Sequence, residues 1–106
     1  MTSKLAKGME KCLRDRLDEI KQAPLSEIKK LLSYSDEEVK INDKVCTLAI
    51  WKNQRIDGMI EVVIQIYYTG LLYRLLGAGM MTADGFLIDN EGNFFKLPDE
   101  IRWKYC

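Results

Sequence analysis

The chain of 106 residues contains no histidine. That absence removes the commonest general base, the commonest metal ligand and the side chain that titrates nearest neutral pH. A Ser-His-Asp triad, a Cys-His pair and the histidine-bearing metalloprotease motif are all beyond this chain. Cysteine is scarce too. Cys12, Cys46 and Cys106 are the only three, and no two stand at the short spacing of a zinc or thiol-redox motif. An odd number of cysteines, with mixed charge and no apolar leader after Met1-Thr2-Ser3-Lys4-Leu5, points to free thiols and a cytoplasmic setting. Cys12 and Cys46 lie among apolar residues and are expected to act as small core side chains. Cys106 lacks the downstream residues of a prenylation box.

Net charge is missing as well: sixteen Lys and Arg balance sixteen Asp and Glu. Phosphate neutralisation dominates nucleic-acid affinity, so nucleic acid is not an expected partner. No long apolar run is present. The greasiest stretch, Met59 to Leu76, is broken by Glu61, Gln65 and Arg74, and no membrane span is expected. No repeat, low-complexity tract or linker divides the chain, so residues 1–106 are read as one domain.

What is present is periodicity. Leu5, Met9, Leu13, Leu17 and Ile20 recur at helical spacing over residues 3–22, with Cys12 and Ala6 beside them. Lys4, Lys7, Lys11, Arg14 and Lys21 gather on the opposite side, diluted by Asp15 and Asp18; this reads as a solvated face. Arg16 falls inside the apolar arc and is expected to snorkel to the rim rather than to pair with a carboxylate of the sheet. Ala23-Pro24 interrupts the helix. Leu25, Ile28, Leu31 and Leu32 resume it until about Tyr34, as a second helix or beyond a kink. Ser35-Asp36-Glu37-Glu38 reads as a polar loop.

Strand signals follow. Val39 and Ile41 alternate with polar residues up to a tight turn at Asn42-Asp43, and Lys44 to Trp51 is rich in β-branched residues. Asp57-Gly58 marks another hairpin. From Met59 to Tyr68 the even positions Ile60, Val62, Ile64, Ile66 and Tyr68 are expected to face the core. Glu61 and Gln65 share the other face with Val63 and Tyr67, within reach of Lys52 or Arg55 on the preceding strand. Leu71 to Leu76 reads as a short helix stopped by Gly77-Ala78-Gly79, and Met80 to Gly85 as loop. Phe86 to Asp89 and Phe94 to Leu97 form a hairpin around Asn90 to Asn93. Pro98-Asp99-Glu100 opens a closing helical turn. The expected fold is α+β: two N-terminal helices, or one kinked helix, on an antiparallel sheet of about five strands. A short helix stands between strands 3 and 4, and a short helical turn ends the chain.

The catalytic and metal motifs all fail on inspection. Gly77 to Thr82 lacks the third glycine of a dinucleotide loop and follows a helix. Asp89 to Asn93 lacks the glycine and glutamate positions of an EF-hand. Asp84, Asp89, Glu91, Asp99 and Glu100 are explained by turns and a helix start. No catalytic residue, cofactor or metal site is assigned. The surplus of apolar side chains in both strand phases marks an interaction surface. The expected function is a non-enzymatic protein-interaction module, homodimeric through Tyr67, Tyr68, Leu71, Leu72, Tyr73 and Leu76. The alternative is a domain for a small amphipathic or cationic ligand held between the N-terminal helix and the sheet, with Met9 and Met59 in its lining. Its site would draw on Trp51, Glu61, Gln65, Met80 and Met81.

Overall fold

The apolar stripe of the first helix decides the architecture. In the computed structural model, which describes residues 2–68 and 80–105, α1 spans Thr2–Lys21 and α2 spans Leu25–Lys29. Five strands follow: β1 (Tyr34–Ile41), β2 (Lys44–Gln54), β3 (Ile60–Tyr68), β4 (Met80–Ile88) and β5 (Phe94–Lys96). A last helical turn, α3, spans Asp99–Trp103. The strands form one antiparallel meander in the order β1-β2-β3-β4-β5. The chain is therefore α+β, with a helix laid across one face of a five-stranded antiparallel sheet.

Leu5, Met9, Leu13 and Leu17 of α1 are buried against the alternate row of the sheet that holds Ile60, Val62, Ile64 and Ile66. The even positions of β3 face this core as their spacing predicts, with Tyr68 packed against its margin. Ile64 and Ile66 are fully buried, and truncating either to alanine removes about 2–5 kcal/mol by transfer and cavity terms together. Cys46 is buried in this core and Cys12 packs partly buried against it; neither thiol is in a disulfide. Burial raises both thiol pKa values above the ordinary range, which suits small core side chains rather than nucleophiles.

Pro24 separates two helices rather than kinking one. It stands at the N-cap of α2, and its carbonyl accepts the amides of Glu27 and Ile28 at 2.9 and 3.2 Å. The Asn42-Asp43 turn forms with both residues at positive φ, 49° and 64°, the geometry of a two-residue hairpin. Asn42 also donates its side-chain amide to the carbonyl of Lys4 at 3.0 Å, tying the hairpin tip to α1. At the β4–β5 turn the Asp89 carboxylate accepts the amides of Glu91 and Asn93, both at 2.9 Å.

Three expectations change. Ser35 to Glu38 is strand, not loop. These polar residues pair with Thr47 to Ile50, and an edge strand needs apolar side chains on one face only, which Val39 and Ile41 supply. Met80 to Gly85 is the first half of β4, not loop, because it pairs with Val63 to Tyr68 along the sheet. Arg16 is half-buried but does not simply snorkel. Its guanidinium pairs with Glu37 of β1 at 2.5 Å and with Glu19 at 3.8 Å. The carboxylate sits there because Glu37 shares the inward phase of β1. The short helix expected between strands 3 and 4 lies outside the described residues.

Candidate interaction surface

The face of the sheet opposite α1 carries the odd positions of β2, β3 and β4. Over its lower half Val63, Leu87 and Leu97 form a second buried cluster. Ile101 of α3 and Tyr105 fold back over it, with Trp51 and Met59 at its sides. The chain reaches this position because Pro98 starts α3 directly after Leu97; it stands at the N-cap, one position before the expected first helical site. Trp103, by contrast, is exposed and covers nothing.

Gln65 joins the lower and upper halves. Its amide donates to the Tyr105 carbonyl at 2.8 Å and lies 3.3 Å from the Met81 sulfur, while its oxygen accepts the Trp51 indole N–H at 3.4 Å. Trp51 is stacked obliquely between two rings, with centroids 4.4 Å from Tyr34 and 5.6 Å from Tyr105. Such tilted contacts add to area burial. Glu61 is 8% exposed. Its carboxylate accepts the Asn53 amide at 3.1 Å and lies 3.9 Å from the Arg55 guanidinium. Burial pushes the Tyr105 hydroxyl pKa up, and the nearby Glu61 charge pushes it further.

Glu61 and Gln65 thus share one face, as the phase of β3 predicts, and the ladders bring Trp51 and Met81 to the same face. Arg55, not Lys52, partners Glu61; Lys52 is on the helix side, donating to the Lys29 carbonyl at 2.6 Å. Met80 pairs in register with Tyr68. The pocket expected between α1 and the sheet does not form around the methionines. Met9 is buried in the core, whereas Met59 and Met81 belong to the opposite face. Tyr67 and Tyr68, expected in one interface, point to opposite faces: Tyr68 packs on the α1 core, and Tyr67 stands across from Thr47 and Met81. Leu71, Leu72, Tyr73 and Leu76 lie outside the described residues. Sequence reasoning missed Asn53, Tyr34 and Tyr105. The first is legible once Glu61 is set opposite it in the β2–β3 hairpin; the Tyr105 contact is a long-range one that no local pattern carries.

Among the described residues, no buried side-chain nitrogen or oxygen lacks a hydrogen-bond partner. No cluster of three or more Cys, Asp or Glu side chains among them could hold a metal, and no helix among them is long and apolar enough to cross a membrane. Trp51, Asn53, Glu61, Gln65 and Tyr105 are occupied with one another. What remains for a partner in the upper half is the area around Val45 and Met81, which are exposed, and Thr47 and Tyr67, which are half-buried; Tyr34 stands lower, opposite Trp51. The Tyr34 hydroxyl donates to Asp36 at 2.7 Å, and this bond pushes the tyrosine pKa up to about 12. No family model, curated protein or solved structure matches the chain.

Proposed function

We propose that the protein is a non-enzymatic interaction module of the cytoplasm that self-associates through the upper half of this second sheet face. The supporting observation is the unequal cover of the two faces. The stripe of α1 lies across the first face, whereas the described C-terminal residues cover only the lower half of the second. Val45, Tyr67 and Met81 are left together on β2 to β4. Aromatic and methionine side chains of this kind make large, adaptable contact area. A two-fold contact sets the same patch on both copies, so one apolar patch with a polar margin suffices.

The small-ligand reading is weaker for a specific reason. Glu61, Gln65 and Trp51 do gather, but each is already hydrogen-bonded within the protein. A ligand would have to break those bonds to orient itself, at a cost of about 1–3 kcal/mol for each group left unpaired.

The test is sedimentation velocity on the wild type and on Val45→Lys and Met81→Lys. Both sites are exposed, 56% and 46%, so folding tolerates the change. The wild type is expected to sediment as a dimer. Each variant is expected to weaken association tenfold or more with an unchanged far-UV spectrum. A monomeric wild type, or variants that dimerise as well as the parent, contradicts the reading.

A further inference from the structure

We propose that the open edge of β1, with the groove between β1 and α1, binds an extended basic segment of a partner protein as a sixth strand. The inference uses the main-chain edge of β1, which borders the face proposed for self-association, and it does not depend on that association.

Among the described residues β1 is the terminal strand of the sheet. Its eight residues pair on one side with β2, from Tyr34 opposite Trp51 to Ile41 opposite Lys44. The two-residue turn fixes which main-chain groups are used. In such a hairpin the residues flanking the turn, Ile41 and Lys44, bond to each other. Alternate residues back along β1 therefore direct their N–H and C=O groups inward to β2. The intervening residues, Tyr34, Asp36, Glu38 and Lys40, direct theirs away from the sheet. This outward row has the length and the period that an added strand requires.

The groove beside it gives the added strand somewhere to put its side chains. Lys11, Cys12, Asp15, Arg16 and Glu19 of α1 line a cleft of about 370 Å³ with Lys40 and Ile41 at the end of β1. Alternate side chains of an added strand would enter this space. Its charges are already arranged in pairs, with Lys11 on Asp15 at 2.8 Å and Arg16 on Glu19 and Glu37.

Charge selects the occupant. Asp36, Glu37 and Glu38 against Lys40 leave the strand with a net charge of minus two. In the two registers that overlap most of the strand, a second copy paired antiparallel on this edge meets its own acids. With Asp36 opposite Glu38, carboxylates face carboxylates throughout the centre. With Asp36 opposite Lys40, Glu38 still faces Glu38. Like charges directly across a ladder are destabilising. The same acids that deter self-pairing at an exposed edge complement lysine or arginine on a different strand. A basic extended segment gains main-chain bonds from the row and charge contacts from Asp36 and Glu38.

The probes are three blocked peptides: five Lys-Val repeats, five Glu-Val repeats, and the Lys-Val peptide N-methylated on every residue so that neither edge can donate. Binding is followed by amide resonances and by hydrogen exchange. The Lys-Val peptide is expected to bind, to shift the amides of Tyr34, Asp36, Glu38 and Lys40, and to slow their exchange. N-methylation abolishes binding, because the main chain carries it. Glu38→Lys weakens the basic peptide about tenfold and improves the acidic one. Met81→Lys, on the other surface, leaves peptide binding unchanged, which separates this inference from self-association. Equal binding of the N-methylated peptide would show charge adhesion without strand addition and would overturn the proposal. So would exchange at those four amides that no peptide alters, or equal affinity for the Glu-Val peptide; the acids would then serve only to protect the edge.

Discussion

Gly85 is where a single methyl group costs most. It lies in β4 opposite Val63 of the central strand. A Cβ added there would stand 2.1 Å from the Val62 carbonyl oxygen and 2.9 Å from the Val63 Cα. Contacts under 3.0 Å are essentially never seen for a Cβ, so the shortfall is 0.9 Å. The obstacle is backbone, in the middle of the sheet, and it cannot rotate away. Its φ is not in the left-handed region, so space alone is at issue. Gly85→Ala must push β4 from β3. Overpacking strain of about 1–3 kcal/mol adds to one or two weakened ladder bonds at about 1 kcal/mol each, for a total near 4 kcal/mol. At about 4 °C per kcal/mol for a domain of this size, Tm falls by roughly 16 °C. Thermal and urea unfolding at matched protein concentration measure it, and the urea slope should stay constant while the midpoint drops. Gly92→Ala is the control. Nothing lies within 4 Å of its added Cβ, but its φ of 86° costs an alanine about 1–2 kcal/mol. A Gly85→Ala variant no less stable than Gly92→Ala would refute the β3–β4 register and with it the position of Met81.

Three further outcomes follow from the site. Gln65→Leu keeps the volume but strips partners from the Trp51 indole and the Tyr105 carbonyl; a loss of about 1–3 kcal/mol is expected, with a shift of Trp51 emission read in a Trp103→Phe background. Tyr34 is expected to titrate near pH 12 by ultraviolet absorbance, and Asp36→Asn returns it toward about 10. Because the folded pKa is the higher one, the Tyr34–Asp36 bond stabilises fully below about pH 10 and that contribution is lost as pH rises toward 12. A double-mutant cycle on Arg16 and Glu37 is expected to give a coupling of about 1 kcal/mol that shrinks in salt, since Glu37 is exposed and Arg16 is half-buried.

What the sequence discloses depends on whether a residue's neighbours in space are also its neighbours in the pattern. The stripe of α1 and the isoleucine row of β3 are legible because one periodicity, 3.6 or 2, decides burial for each. Glu61 and Gln65 fall on one face for the same reason. The acidic strand Ser35 to Glu38 is illegible locally. Its identity comes from pairing with Thr47 to Ile50, and tertiary pairing outweighs a weak strand propensity. Met80 to Gly85 fails similarly, since two glycine-flanked methionines give no strand signal until the ladder with β3 is known. Arg16 shows the opposite limit. Its place in the apolar arc is plain, but the choice between rim and ion pair rests on the phase of a strand more than fifteen residues away. The cover provided by Ile101 and Tyr105 is a long-range docking event, and only their apolar character hints at it.

The central claim is that the upper half of the second sheet face meets its own copy. Native mass spectrometry of the wild-type protein, with a denatured control and a dilution series, tests it most directly. A species at twice the chain mass of 12.3 kDa that dissociates on dilution, and that Val45→Lys and Met81→Lys abolish, is the predicted result. A bare monomer at every concentration would contradict the account.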